Sequence, residues 1–267
     1  MASLHGKRIG VIGAGAIGGV VIDRLLAAAA SRPADIIACE IRPERRQDIA
    51  ARYGVTVHER PEAAGAADVV VLAVPPPAVA DVLGELRGLL GGDRVVISFA
   101  GGVPLAFIEA AVPGVAVVRV NPNSPSVIGE GFNPVTYGQS ATGARRALAD
   151  AFLQVLGGHP EVEDGSMNVY TALTAVGPTY FLPVLDALVA AGQAAGLSRQ
   201  AAVDAATATA IGTAHMVARR AETPEQLKLF TGLRPLDDAA VKRLVAEAVQ
   251  AAVTRMEDVQ RKITGGA

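Results

Sequence analysis

The chain has 267 residues, enough for one large domain or two modest ones with an ample core. Hydrophobic residues make up 51%, but aromatics only 4% and tryptophan none, so alanine, valine, leucine and isoleucine must build that core. A formal net charge of -2 gives no basic footprint for nucleic acid, and the single cysteine, Cys39, excludes an intramolecular disulfide and a cysteine metal cluster.

Residues 7–18 read as an apolar strand, then the spacing Gly13-x-Gly15-x-x-Gly18, then a helical pattern through Ala16–Ala30. This order suits a dinucleotide pyrophosphate. Gly13 permits the tight turn, Gly15 lets the backbone approach the phosphates, and Gly18 lets helix and strand pack closely. The helix N-terminus, at Ala16 and Ile17, then aims at the anion.

Ile36–Ile41 reads as the second strand, with Cys39 as a core thiol and Glu40 near its end. A carboxylate there accepts hydrogen bonds from both ribose hydroxyls of NAD and repels the 2′-phosphate of NADP. Arg42, Arg45 and Arg46 follow at once; they either pair with that phosphate or form a solvated helix face. The cofactor is NAD or NADP, with the balance toward NAD.

A helix follows, with Pro43 in its first turn and Gly54 just past its end. Val55–Val57 is a short strand and Asp68–Val74 a buried parallel one. Pro77–Leu90 repeats apolar residues at helical spacing until Gly91-Gly92. Arg94–Phe99 and Val115–Val120 are two more strands, with Pro104–Ala111 helical between them. Val74-Pro75 and Ala100-Gly101 end two of these strands. They face the cofactor crevice, the prolines as a rigid wall and the glycine as an approach for a ring or phosphate; ordinary strand-to-helix turns are the alternative. The alternation predicts an α/β Rossmann-type parallel sheet with ligands at the carboxyl ends of its strands.

In the segment 119–125, followed by Gly129-Glu130-Gly131, two X-Pro steps hold the backbone extended. Asn123 and Ser124 then project at fixed positions, with Asn121 in the same segment. An amide there suits a nicotinamide carboxamide or a polar substrate group. Thr142–Leu156 is an amphipathic helix, and the polar stretch Gly158–Ser166 marks a boundary. The division is a dinucleotide-binding domain over residues 1–160 and a helical domain over 161–267.

From Met167 the period is helical throughout. Met167–Leu197 is interrupted at Gly177-Pro178; Ser198 caps a helix to about Arg220, Thr223-Pro224 starts a short one, and Asp237-Asp238 begins the last. These helices are rich in alanine and glycine, so they are expected to pack against a second copy, giving at least a dimer. The uncharged Gly165–Leu185 contains Asn168 and the Gly177-Pro178 break, which argues against a membrane span. The N-terminus enters the nucleotide fold within a few residues and leaves no room for a cleaved signal, so a cytoplasmic protein is expected.

His215 stands among small apolar residues, either to protonate a developing amine or to fill a core or an interface. Tyr180 and Asp186 follow the proline break and are candidates to bond substrate or a partner subunit. His5, His58 and His159 have no ligand spacing, so no metal is expected. The absence of a Gly-x-Ser-x-Gly elbow and of a Walker loop removes simple hydrolases and nucleotide triphosphatases.

The run Arg119-Val120-Asn121-Pro122-Asn123-Ser124-Pro125 resembles the loop of pyrroline-5-carboxylate reductases, which usually read Arg-x-Met-Pro-Asn-Thr-Pro. The resemblance extends to the N-terminal glycines, to Ala73–Pro76, to Thr171–Tyr180 and to Leu185–Leu197. It implies a Rossmann domain, an all-α C-terminal dimerisation domain, and hydride transfer from NAD(P)H to a small cyclic imine. It puts Asn123 near the nicotinamide and the Gly177-Pro178 break near the substrate. Two departures stand out. The family's Ser-Gly-Ser-Gly-Pro is here Thr174-Ala175-Val176-Gly177-Pro178, keeping a hydroxyl at Thr174 and losing one at Val176. The family's Thr-Ser-Pro-Gly-Gly-Thr-Thr loop, whose amides and hydroxyls hold the substrate carboxylate, reads as deleted. Leu229-Phe230-Thr231-Gly232 runs straight into Leu233-Arg234-Pro235-Leu236, with Arg234 as a replacement cation or a surface residue. The leading expectation is therefore an NAD(P)-dependent oxidoreductase of this type. A dehydrogenase of another small keto, imino or sugar acid, and a non-catalytic NAD(P)-binding sensor or assembly protein, are the alternatives.

Overall fold

Short runs rich in valine and isoleucine become the strands. The computed structural model describes residues 3–230, 232, 233 and 235–265. In chain order the strands are β1 (Ile9–Ile12), β2 (Ile36–Cys39), β3 (Thr56–His58), β4 (Val69–Leu72), β5 (Val95–Ser98) and β6 (Ala116–Val120). β1, β4, β5 and β6 are buried at every position, as strands covered on both faces must be. The helices between them are α1 (Ala16–Ala27), α2 (Pro43–Tyr53), α3 (Val79–Leu86) and α4 (Leu105–Ala111). Strand order is β3-β2-β1-β4-β5-β6, all parallel. The order reverses between β1 and β4, so a crevice opens at their carboxyl ends.

The structure corrects the expected elements in two places. The helix read over Pro77–Leu90 is shorter: a 3-10 turn, Pro76–Ala78, precedes α3, which stops where Arg87 turns extended and Gly88 adopts φ 84. The sheet is also not wholly parallel. β7 (Gly131–Phe132) and β8 (Val135–Tyr137) follow β6, α5 (Gly143–Leu153) comes next, and β9 (Gly157–Gly158) closes the segment. β8 extends the sheet antiparallel to β6, while β7 and β9 form a separate ribbon. Strands of two or three residues, two of them with glycine, carry no readable alternation.

The core lies on both faces of the sheet. Val21, Ile22 and Leu25 of α1 and Phe152 and Leu153 of α5 cover one face. Leu83 and Leu86 of α3 and Ile108 of α4 cover the other. Arg119, pointing from β6, is the largest fully buried side chain.

The chain divides into two compact units, Met1–Val176 with Gln250–Ala267, and Gly177–Val249. The expected boundary at 160/161 falls inside the first. α6 (Met167–Thr174) belongs to the first unit; its Met167, Asn168, Thr171 and Ala172 are buried. The second contains α7 (Pro178–Ala194), α8 (Arg199–Arg219) and α9 (Pro224–Leu227), and the start of α10 (Asp238–Thr264). Ser198 Oγ accepts from Ala201 N at 3.2 Å, capping α8, and Thr223 and Gln226 form a capping box on α9. α7 and α8 approach closely at Gly192, where a Cβ would lie 3.1 Å from that of Ala202. α7 buries none of its residues, leaving Phe181, Leu182, Val184 and Leu188 exposed. The stretch Asp164–Ala194 is long and apolar enough to cross a membrane by length and composition alone. It is not one helix, however, because α6 ends at Thr174 and α7 begins at Pro178. Thr231 and Arg234 lie outside the described residues.

Candidate cofactor site

β1 ends at the mouth of the crevice, and the chain turns at Gly13 with φ +86. A Cβ there would stand 2.7 Å from the Ala73 carbonyl oxygen, so only glycine fits. A Cβ on Gly18 would collide with the Gly13 carbonyl, which is why α1 can lie so close to the turn. Gly15 caps α1 with no side-chain acceptor, so the first amides of the helix stay available to an anion.

The crevice holds a cavity of about 660 Å³ that brings together Gly13, Gly15, Ala16, Ile17, Glu40, Arg42, Val74, Pro75, Ala100 and Gly101. Cys39 is part of its wall, and burial pushes that thiol up to about 12. Glu40 is 6% exposed. Its Oε1 accepts from the backbone N of Arg42 at 3.1 Å and from Arg42 Nε at 3.2 Å, and Arg45 Nη1 is 3.9 Å from Oε2. Burial would raise the Glu40 carboxyl, but the Arg42 hydrogen bonds and the Arg42 and Arg45 charges together hold it below the usual carboxylate range. Glu40 is thus an ionised acceptor with one oxygen still open to a ribose hydroxyl.

A second cavity, about 340 Å³, shares Ala16, Ile17 and Phe99 with the first and adds Asn123 and Ser124. Asn123 is extended, with φ -112 and ψ 167, but the backbone beyond it coils into a 3-10 turn over Ser124–Ile128 instead of staying extended. Local i to i+3 bonding, such as Ser126 N to Asn123 O at 3.0 Å, overrides the proline bias. Asn123 Oδ1 accepts from Phe132 N at 3.1 Å, so the amide donors are what this side chain has left for a ligand. Asn133 props the loop, its Oδ1 accepting from Ser126 Oγ at 2.8 Å and from Asn123 N at 3.4 Å.

The other candidates are not among the residues that line these cavities. Asn121 is buried, and its Nδ2 donates to Thr171 Oγ1, tying the end of β6 to α6. Thr174 Oγ1 donates to the Tyr170 carbonyl at 2.8 Å. Tyr180, on α7, is half-buried, and burial raises its phenol; His215 is exposed on α8, and both belong to the second unit. Sequence reasoning missed the support behind the site. A Cβ on Gly102 would stand 2.7 Å from Val259 Cγ1 of α10, and Met256 Sδ lies 3.8 Å from the Cβ position of Gly101. Nothing in the spacing of either segment links residues so far apart in the chain.

The cradle fits a dinucleotide. It has a glycine turn with no room for a Cβ, free helix-terminal amides for a pyrophosphate, and an ionised carboxylate where a ribose would lie, all at the switch point of a doubly wound sheet. Fold and site define an NAD(P)-dependent oxidoreductase. Residues 8–102 match the family described as NADP oxidoreductase coenzyme F420-dependent, and residues 164–259 match pyrroline-5-carboxylate reductase dimerisation. The pyrroline-5-carboxylate reductase of Synechocystis is 31% identical over 266 residues, covering 96% of this chain and 99% of that one. That of Corynebacterium melassecola is 32% identical over 265 residues, covering 94% and 98%. The crystal structure of the Plasmodium falciparum pyrroline carboxylate reductase with NADP bound has the same fold, with TM-score 0.83, 22% identity and coverage of 96% and 98%. The chain belongs to the pyrroline-5-carboxylate reductase family, and is an NAD(P)-dependent oxidoreductase of that type. The exposed apolar side chains of α7 lie within the segment that matches pyrroline-5-carboxylate reductase dimerisation.

Proposed function

We propose that the protein reduces a small cyclic imine bearing a carboxylate, pyrroline-5-carboxylate being the reference substrate, in the cytoplasm and as a homodimer or larger assembly. The observation that carries this reading is the switch-point cavity ringed by Gly13, Gly15, Glu40, Pro75 and Gly101, in a chain of this family.

The bound cofactor supplies a hydride; the chain supplies position and dryness. Gly13, Gly15, Gly18 and the α1 N-terminus, at Ala16 and Ile17, receive the pyrophosphate. Glu40, with Arg42 fixed on one oxygen, receives the ribose hydroxyls and favours NADH. Val74, Pro75, Ala100 and Gly101 wall the ring end, and Asn123 turns its amide donors toward a carboxamide or substrate oxygen, with Asn121 fixing the strand that carries it. A protonated imine already bears the positive charge, so no strong general acid is needed. Thr174 and Tyr180 are the candidates for substrate contact, and His215 the candidate to give a proton to the developing amine.

The family's carboxylate-holding loop is, on this reading, deleted between Phe230 and Leu236. Together with Val176 in place of a hydroxyl, the loss removes several donors to one anionic group. This favours a second reading within the same chemistry, a rebuilt pocket that prefers another small imino or keto acid. The test is oxidation of NADH and NADPH by the purified protein with pyrroline-5-carboxylate, beside a panel of cyclic imines and keto acids. Rapid turnover of pyrroline-5-carboxylate supports the first reading, and turnover of another member alone the second. Cofactor binding with no turnover at all overturns both in favour of a sensor. Light scattering at micromolar concentration tests the assembly, a monomeric mass refuting it.

A further inference from the structure

We propose that Asn133 is a positioning residue for hydride transfer: from behind the loop it holds the Asn123 amide with its donors toward the carboxamide of the nicotinamide ring. This rests on the cofactor reading above. Asn133 is fully buried, yet its Nδ2 has no partner among the described residues. A buried amide with an unsatisfied donor is costly, so the other end of the group must account for its place. Its Oδ1 accepts from two donors of the loop, Ser126 Oγ at 2.8 Å and Asn123 N at 3.4 Å. A backbone N–H can only donate, so the second contact fixes which way round the Asn133 amide lies.

The backbone around Asn133 divides its hydrogen bonds between two neighbours. Gly131 N donates to the Leu156 carbonyl at 3.0 Å and Asn133 N to the Gly158 carbonyl at 2.8 Å, pinning β7 to β9. Phe132 N, between them, donates instead to Asn123 Oδ1 at 3.1 Å. Asn123 is thus held by its side-chain oxygen and by its own backbone N–H, both from the segment that Asn133 anchors. The fit is close: a Cβ on Gly131 would collide with Ser126 Oγ and stand 2.7 Å from Asn133 Nδ2. With Oδ1 taken, Asn123 offers only N–H donors to the 340 Å³ cavity that it lines. That cavity shares Ala16, Ile17 and Phe99 with the 660 Å³ crevice, so it continues the groove past the helix terminus that receives the pyrophosphate. The nicotinamide ring carries one carbonyl, that of its carboxamide, and an amide N–H is its matching donor. Held there, the ring cannot turn about its glycosidic bond, and its C4 meets the substrate in one orientation.

The test is calorimetric titration of the full chain with NADH and with ADP-ribose, which keeps the pyrophosphate and both riboses but lacks the ring. The proteins are the unmodified chain, Asn133→Leu, Asn133→Asp, Asn123→Ala, and Asn123→Ala combined with Asn133→Leu. Asn133→Leu weakens NADH by about three- to tenfold and leaves ADP-ribose within about twofold. Asn133→Asp, which keeps the accepting oxygen and drops the unpartnered donor, recovers most of that loss. In the Asn123→Ala background, Asn133→Leu changes NADH affinity by less than about twofold, because nothing is left to position. A full loss that persists in that background, or an equal loss of both ligands, shows a role in the fold alone and overturns the proposal. Unchanged NADH affinity in Asn133→Leu overturns it too. Unchanged NADH affinity in Asn123→Ala refutes the carboxamide contact, and the proposal with it, while ADP-ribose binding keeps the pyrophosphate site standing. Binding of neither ligand by the unmodified protein overturns the cofactor reading itself. Thermal unfolding midpoints check that each variant folds; where Asn133→Leu does not, Asn133→Ala takes its place in the cycle with the same expected outcomes.

Discussion

Replacing Asp164 with alanine strands a buried charge. Arg119 is 1% exposed; its Nη1 donates to Asp164 Oδ1 at 2.6 Å, and its Nε and Nη2 are buried without a partner. The same carboxylate accepts from Leu105 N at 3.3 Å through Oδ2, so one group neutralises β6 and caps α4. Breaking a buried pair by removing one partner costs about 3–5 kcal/mol, because the remaining charge has neither water nor counter-ion. The Asp164 side chain is 31% exposed, which lets some water reach the vacated position and puts the expected loss near the lower end, about 3 kcal/mol. At about 2 °C per kcal/mol for a chain of this size, the midpoint of thermal unfolding falls by about 6 °C. The double variant Arg119→Met with Asp164→Ala recovers most of that, since an apolar side chain of similar length removes the orphaned donors as well. Calorimetry on the three proteins decides the matter. A double variant no more stable than Asp164→Ala would refute the reasoning, because the penalty would then not come from the stranded guanidinium.

Other consequences follow from single groups. Gly13→Ala forces a side chain into a left-handed turn and against the Ala73 carbonyl. It costs about 1–3 kcal/mol and removes NADH binding in a titration, whereas an unchanged affinity would take the turn out of the site. The Glu40 carboxyl is held below its ordinary value, so its contribution to stability is present above the unfolded-state pKa and is lost as pH falls through the folded-state one. The stability gap between the unmodified protein and Glu40→Gln, read from urea midpoints, therefore narrows from pH 7 toward pH 3; a widening gap contradicts the assignment. Cys39 is buried with its thiol pushed up to about 12, so a disulfide reagent at pH 8 labels it only after denaturant is added. Rapid labelling of the native protein would show that the strand end opens.

The nucleotide-binding half was legible because its signals are local. Gly13, Gly15 and Gly18 act within one turn, Glu40 ends the adjacent strand, and Pro43 and Gly54 bracket α2 by backbone preference alone. The ends of the strands shift by a residue or two because apolar runs outlast the hydrogen-bonded ladder. β8 was hidden, since Val135–Tyr137 is too short for a period to register and its pairing is with a strand already counted. The 3-10 turn after Asn123 was hidden by its prolines, which point to extended backbone until the local hydrogen bonds are known. The Arg119 to Asp164 pair was hidden by distance, as nothing in either neighbourhood specifies the other. In the second unit the helices were legible from caps at Ser198 and Thr223, while the duties of Tyr180 and His215 depend on surfaces that one chain's spacing does not encode.

The packing of Val259 on Gly102 also has a temporal side. The first unit is interrupted in the chain by Gly177–Val249 and resumes only at Gln250. During synthesis, the turn that walls the ring end of the cavity is made well before the helix that backs it. A nascent chain therefore carries the phosphate-binding turn well before it owns a finished cofactor wall.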